Sequence, residues 1–175
     1  MFINKCDCII KTTKTAPALF NNPRKEQKTE GTGVPKKLMT FSDGGARGNP
    51  GPAAIAFVVL SDKGQVLMAN SCFIGSRTNN QAEYEALIAA LESAVSLQAE
   101  EIVCNLDSEL VTKQLTGEYT VKNLELKKLW RKIMDLNRRF KKVSFISVPR
   151  TNRQIQKADA LVNEALDREL RRHSA

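Results

Sequence analysis

The amino-acid sequence predicts an α/β fold, a five-stranded mixed sheet flanked by helices in the order βββαβααβα. Three observations carry this prediction. Three apolar runs follow one another early in the patterned region, two of them joined by the tight link Ser61-Asp62-Lys63-Gly64, which is antiparallel hairpin chemistry. Beyond them, segments of helical period alternate with two more short apolar runs, so those strands run parallel through right-handed crossovers. Finally, 175 residues with 42% hydrophobic content can bury one sizeable core, which gives a single folded domain and an extension.

In chain order, residues 1–36 mix Lys, Thr, Asn, Pro and Gly without periodicity and close on Gly31-Thr32-Gly33-Val34-Pro35. They read as a basic, flexible N-terminal extension, and residues 37–175 as the folded domain. The first strand runs from Leu38 to Asp43, where Gly44-Gly45 turns the backbone sharply, and a Gly/Pro loop continues to Pro52. Strands follow at 53–60 and 66–74. Residues 78–97 form a helix rich in Ala82, Ala86, Ala89, Ala90 and Ala94, with a capping box from either Thr78 and Gln81 or Asn80 and Glu83. Being apolar nearly all round, it is largely buried. A fourth strand at 101–107 meets a short helix at 108–115. The next helix, 124–140, turns Leu126, Leu129, Trp130, Ile133 and Phe140 to the core, and a fifth strand at 143–148 leads to a last helix at 156–172.

The net charge of +8 favours a polyanionic partner, with nucleic acid ahead of a membrane surface because no basic amphipathic helix stands out. About half of the excess lies in residues 1–36. Cys72 and Cys104 fall inside apolar strand patterns and read as core, whereas Cys6 and Cys8 form a lone CxC, and His173 is the only histidine. That argues against a zinc site. No apolar stretch approaches the roughly 18 residues of a membrane span, and no secretory region is present, so the expected location is cytoplasmic. Ile9-Ile10 with Leu19-Phe20 makes a poor amphipathic face, so organelle targeting ranks lower. Phe2 and Phe20 leave an accessory nucleic-acid role for the extension open.

Asp43, Glu83, Asp107 and Asp159 sit in four separate segments, each at the beginning or end of an element. Each has an ordinary explanation. Asp43 can start a turn, Glu83 can close a capping box, Asp107 can cap the helix at Ser108, and Asp159 can complement a helix dipole. Against these, Glu83 shares a helical stripe with Ala86, Leu87, Ala90 and Ala94, and Asp159 lines up with Val162, Leu166 and Leu170. Carboxylates on inward faces need a partner. Asp43 and Asp107 end two strands, and the carboxyl ends of neighbouring parallel strands are where open α/β sheets place ligands. Four carboxylates without histidine or thiolate select a hard cation, Mg2+ or Mn2+. Two such ions are the recurring device for phosphodiester hydrolysis, so a basic protein with this set is a nuclease candidate.

The segments around these residues carry a resemblance. Asp43-Gly44-Gly45-Ala46-Arg47-Gly48-Asn49-Pro50-Gly51-Pro52, Thr78-Asn79-Asn80-Gln81-Ala82-Glu83-Tyr84, Leu106-Asp107-Ser108-Glu109-Leu110-Val111 and the run from Asn152 to Asp159 resemble type 1 ribonuclease H over roughly 37–172. Gly117-Glu118-Tyr119-Thr120-Val121-Lys122-Asn123 looks like the compact archaeal and bacterial forms without a basic protrusion helix. The resemblance implies a ribonuclease H-like fold and endonucleolytic hydrolysis of the RNA strand of RNA/DNA hybrids, leaving 5′-phosphate and 3′-hydroxyl ends. By the same resemblance, Asp43 bridges both ions, Asp159 helps hold the ion that activates water, and Glu83 with Asp107 holds the other. Asn49, Asn79 and Asn80 match positions contacting the hybrid, and Thr78 matches one near a DNA phosphate. Gly44, Glu109, Lys122, Asn123 and Arg150 complete the substrate-binding set. No protein partner is implied, and a monomer is expected.

The chain departs from the family pattern in two places. The loop Pro149-Arg150-Thr151-Asn152-Arg153 lacks the histidine that several members carry, and Arg150 or Arg153 is left there to meet phosphate. Glu109 stands where many members have glutamine. Rival readings are a retroelement or transposase-type nuclease of the same fold, and a hybrid-binding protein that does not cleave.

Overall fold

The computed structural model describes residues 36–173. The readings that fall on residues 1–35, namely the extension, its targeting or binding role, and Cys6 and Cys8, lie outside the described residues. Along the rest the chain forms β1 (Lys37–Ala46), β2 (Gly51–Ser61), β3 (Val66–Arg77), α1 (Asn79–Ser96), β4 (Glu101–Leu106), α2 (Glu109–Leu115), α3 (Leu124–Asn137), β5 (Lys142–Ser147) and α4 (Arg153–His173). The expected element order is present in full. The sheet order is β3-β2-β1-β4-β5. β1, β2 and β3 pair antiparallel, while β4 lies parallel to β1 and to β5, as strands separated by helices should.

β2 explains why its apolar run is unbroken. Successive side chains point to opposite faces of a sheet, and here both faces are covered. Phe57 and Val59 pack with Leu38, Leu87, Leu91 and Ile102 in the large core under α1 and α3. Ala54 and Ala56 meet Val162, Ala165 and Leu166 of α4 on the other face, and Val58 and Leu60 meet Ile155. The layers are therefore helices, sheet and helix, with the strand junctions between.

α1 is buried along most of its length, from Ala82 to Ala94, in keeping with its all-round apolar pattern. Of the two possible capping boxes, the helix uses Thr78 with Gln81, which frees Glu83 from that explanation. In α3, Leu126 and Ile133 are buried and Leu129 and Trp130 half-buried, while Phe140 packs from the turn beyond the helix end. Cys72 and Cys104 are buried, as their strand patterns require. The last helix begins three residues before the expected start because Asn152 Oδ1 accepts from the N–H groups of Gln154 and Ile155 at 2.9 and 3.4 Å, an N-terminal cap. Its inward stripe is shorter than expected. Val162 and Leu166 are buried, but Leu170 is exposed.

Tyr84 is fully buried, and its hydroxyl donates to Gln114 Oε1 at 2.8 Å, tying α1 to α2. Burial pushes the phenol up to about 12, so the donor stays protonated. Tyr84→Phe is expected to lower stability by about 1–2 kcal/mol, the cost of leaving a buried amide oxygen unpaired. Urea unfolding at neutral pH measures it.

Candidate active site

The site grows from the place where β1 changes partners. Its parallel ladder with β4 ends at Ser42 and Leu106, so Asp43, still on β1, and Asp107, the first residue past β4, follow from adjacent strands. Asp43, however, does not end its strand. β1 continues along β2 through Asp43 opposite Ala56, Gly44 opposite Ile55, Gly45 opposite Ala54 and Ala46 opposite Ala53. The turn expected at Gly44-Gly45 lies instead in the following loop, where Gly48 has φ 103° and Asn49-Pro50 is cis. Gly44 answers a different need. A Cβ there would lie 2.2 Å from the Ala82 carbonyl and 2.5 Å from Glu83 N, so α1 rests directly on β1 and carries Glu83 to Asp43.

Charge in this small space is unbalanced. Burial raises the Asp43 carboxyl to about 7 from the usual 3.8, reinforced by the negative charges of Asp107, Asp159 and Glu83. Glu83 is also raised, by burial first and by Asp107, with the Ser108 hydroxyl and the Arg150 charge offsetting part of the effect. Its Oε1 accepts from Asn79 Nδ2 at 3.0 Å; its Oε2 is buried without a bond of good geometry, the Ser108 hydroxyl standing near the carboxylate but not aligned on that oxygen. Asp107 Oδ2 accepts from Arg150 Nε at 3.1 Å; the carboxylate is 10% exposed and the arginine side chain 84%. Asp107 does not cap α2, because Ser108 does that with Val111 N–H. Asp159 lies in the second turn of α4, past the reach of the helix-dipole explanation, and accepts from Asn163 Nδ2 at 3.2 Å. It is an exposed residue at the rim, where an inward-packed one was expected.

All four carboxylates line one open cavity of about 490 Å³. Among the described residues, no three carboxylates, histidines or cysteines stand close enough to hold one ion as they are, so the expected convergence on a single point is incomplete. Like charges repel at such range, and among the described residues the ion pair these four carboxylates make is that of Asp107 with Arg150. The donor set nonetheless fits a hard divalent cation. It is all carboxylate oxygen, it includes the unpartnered Glu83 Oε2, and its central member has its charge disfavoured by three others.

The substrate-binding expectations divide. Gly44, Asn79 and Arg150 line the cavity. Gly44 is buried against α1, so its part is to let the helix approach. Asn49 is exposed in the β1–β2 loop and its Oδ1 accepts from Asn79 N–H at 3.1 Å. Thr78 is engaged in capping α1, and Asn123 Oδ1 caps α3 through Glu125 and Leu126 N–H groups. Asn80 is half-buried and Lys122 exposed, both away from the cavity lining. Glu109 pairs with Lys113 at 2.6 Å, which compensates the carboxylate where many family members have glutamine. Sequence reasoning missed Arg47, which lines the cavity and is ion-paired with Asp167 of α4. No local signal marks a pair 120 positions apart.

Fold and site together define an α/β protein of the ribonuclease H-like class, with acidic residues gathered where β1 leaves β4. A family model described as "Reverse transcriptase-like" matches residues 41–165. Ribonuclease HI of Halobacterium salinarum is 43% identical over 131 residues, covering 75% of this chain and 65% of that protein. The crystal structure of RNase H1 from the same organism superposes with a TM-score of 0.72 at 43% identity, covering 75% of this chain and 98% of the solved one. LC11-RNase H1 from compost, solved in complex with an RNA/DNA hybrid, gives 0.70 at 40% identity, covering 76% and 99%. A bifunctional protein of Mycobacterium tuberculosis is 42% identical over 132 residues, covering 75% of this chain and 36% of its own length. The chain belongs to the type 1 ribonuclease H family.

Proposed function

We propose that this protein is an endonuclease that hydrolyses the RNA strand of RNA/DNA hybrids with two divalent ions, Mg2+ or in its place Mn2+, leaving 5′-phosphate and 3′-hydroxyl ends. The observation that carries the reading is the gathering of Asp43, Glu83, Asp107 and Asp159 on one cavity, where the parallel ladder of β1 and β4 ends. Burial and the charge of the other three disfavour the ionised form of Asp43, which supports a cation held among them. By the family resemblance, Asp43 would be the shared ligand, with Glu83 and Asp107 on one side and Asp159 on the other. A relative solved on a hybrid supports the substrate class.

When bound, the ions prepare water as the nucleophile and stabilise the leaving oxygen. The chain's own residues do the rest. Asn49, Asn79 and Asn80 offer short amides to the wide, shallow minor groove of an A-like hybrid, where 2′-hydroxyls are displayed. Arg150, tethered to Asp107 but largely exposed, would meet a phosphate of the hybrid. Glu83 and Asp107, held between α1 and β4, keep their oxygens toward the cavity. Thr78, Glu109, Lys122 and Asn123 are assigned to the flanks of the hybrid path. Residues 1–36 are assigned as a basic extension to the 37–175 catalytic domain, acting in the cytoplasm as a monomer. Among the described residues, no helix is long and apolar enough to cross a membrane.

Purified protein incubated with labelled RNA/DNA hybrid, double-stranded RNA and double-stranded DNA, with and without Mg2+, tests this directly. Cleavage confined to the RNA strand of the hybrid and dependent on Mg2+ is expected. Cleavage of DNA, or cleavage in chelator, would show the reading to be wrong.

A further inference from the structure

We propose that Asn79 is a positioning residue that sets the orientation of Glu83 through its side chain and joins the loop carrying Asn49 through its backbone, so that divalent-ion affinity and hybrid binding are linked through one residue. The inference rests on the active-site reading above and extends it. Asn79 is the first residue of α1, and Glu83 lies four positions on, on the same helix face. Three bonds meet at Asn79. Its Nδ2 donates to Glu83 Oε1 at 3.0 Å, its Oδ1 accepts from Ala46 N–H at the end of β1 at 3.3 Å, and its backbone N–H donates to Asn49 Oδ1 at 3.1 Å.

Chemistry fixes the direction of that amide. A carboxylate accepts only, and a backbone N–H donates only, so turning the amide over would set oxygen against oxygen and NH2 against N–H. Only one orientation satisfies both neighbours. Glu83 in turn has one oxygen tied to Asn79 at hydrogen-bond geometry, while the Ser108 hydroxyl lies near the carboxylate without forming such a bond to the buried Oε2, so the arm to Asn79 is the firmer constraint on where the second oxygen points. Outer partners of metal-binding carboxylates commonly change ion affinity by about 10- to 100-fold. Asn49, exposed in the β1–β2 loop, is bonded to the backbone of the same residue, so a hybrid that engages Asn49 acts on the segment that holds Glu83. Linkage then requires that an ion held better with hybrid present also helps the hybrid bind.

Calorimetric titration with Mn2+ alone, without hybrid, is the test. Asn79→Ala is expected to weaken Mn2+ binding by about 10-fold, while Asn49→Ala changes it less than about 2-fold and raises KM for hybrid. In a Glu83→Gln background, Asn79→Ala is expected to add nothing further, because its effect runs through Glu83. Melting curves in chelator check that each variant folds. Asn79→Ser, which suits the first turn of a helix, serves as a second variant and should show the same loss. Unchanged Mn2+ affinity in both Asn79 variants, or a loss that persists in full beside Glu83→Gln, overturns the proposal. If the wild-type protein itself neither binds Mn2+ nor cleaves hybrid, it is the functional reading that fails instead.

Discussion

Asp43→Asn is expected to slow Mg2+-dependent hybrid cleavage by about 10³-fold or more and, in the same protein, to raise stability in chelator. The loss of rate follows from position. Asp43 shares the cavity with the other three carboxylates and feels the charge of each, so on the proposed assignment its removal takes away the shared ligand, and stabilisation of several kcal/mol disappears at about 1.4 kcal/mol per factor of ten. The gain in stability follows from the same crowding. The carboxyl titrates near 7 in the folded protein against 3.8 when unperturbed, so the folded state holds its proton more tightly than the unfolded chain does. Stability from this group is complete below about pH 4 and is lost as the pH rises through about 7. An asparagine does not titrate. At pH 8 without metal, the variant should therefore be the more stable protein, with a ceiling of about 4 kcal/mol set by that difference in proton affinity. Added Mg2+ should stabilise the wild type and leave the variant nearly unmoved. Thermal melts in chelator from pH 4 to 8, repeated with Mg2+, read both halves. Near-normal cleavage would remove Asp43 from its assigned place, and a variant less stable than wild type at pH 8 would show that the charges are better compensated than the geometry indicates.

The asymmetry between what the sequence shows and what it hides has physical causes. Period-two and period-3.6 patterns report burial, and burial decides most of this fold, so all nine elements were legible. β2 reads as an unbroken apolar run because α1 and α4 cover its two faces. The four carboxylates were legible because they stand where elements begin or end and three of them break an apolar pattern, although Asp159 is exposed rather than inward. Turn chemistry was less reliable. Asp43-Gly44-Gly45 has the composition of a turn, but glycine is used equally where two backbones touch, and one sequence cannot separate those uses. The capping box was ambiguous for a related reason, since Thr78-Gln81 and Asn80-Glu83 have the same spacing and only tertiary packing sends Glu83 to the cavity. Asn152 is a sufficient cap signal that was passed over beside the charged run that follows it. Arg47 with Asp167 and Arg150 with Asp107 depend on distant segments meeting, and nothing local encodes them.

Gly44→Ala is the substitution expected to cost the fold most. An added methyl would sit 2.2 Å from the carbonyl carbon and oxygen of Ala82 and 2.5 Å from Glu83 N, all backbone atoms, so no rotamer change relieves it. α1 cannot easily retreat, because Ala82, Tyr84, Ala86 and Leu87 are buried and Tyr84 is bonded to α2. β1 cannot yield either, since Gly44 and Gly45 are laddered to Ile55 and Ala54. Overpacking usually costs about 1–3 kcal/mol, but that figure assumes side chains that can give way. Here a loss of about 4 kcal/mol or more is expected, which places the variant among the exceptional single substitutions. Gly45→Ala is the matched control. Its methyl would meet only Val162 Cγ1 at 3.2 Å, a side-chain atom that can shift, and about 1 kcal/mol or less is expected. Urea unfolding of the two variants side by side measures the difference. If Gly44→Ala stays within about 1 kcal/mol of wild type, the close approach of α1 to β1 is not what holds Glu83 beside Asp43. If it folds at reduced stability, Mn2+ affinity should fall with it, because any separation of the two backbones also separates those two carboxylates.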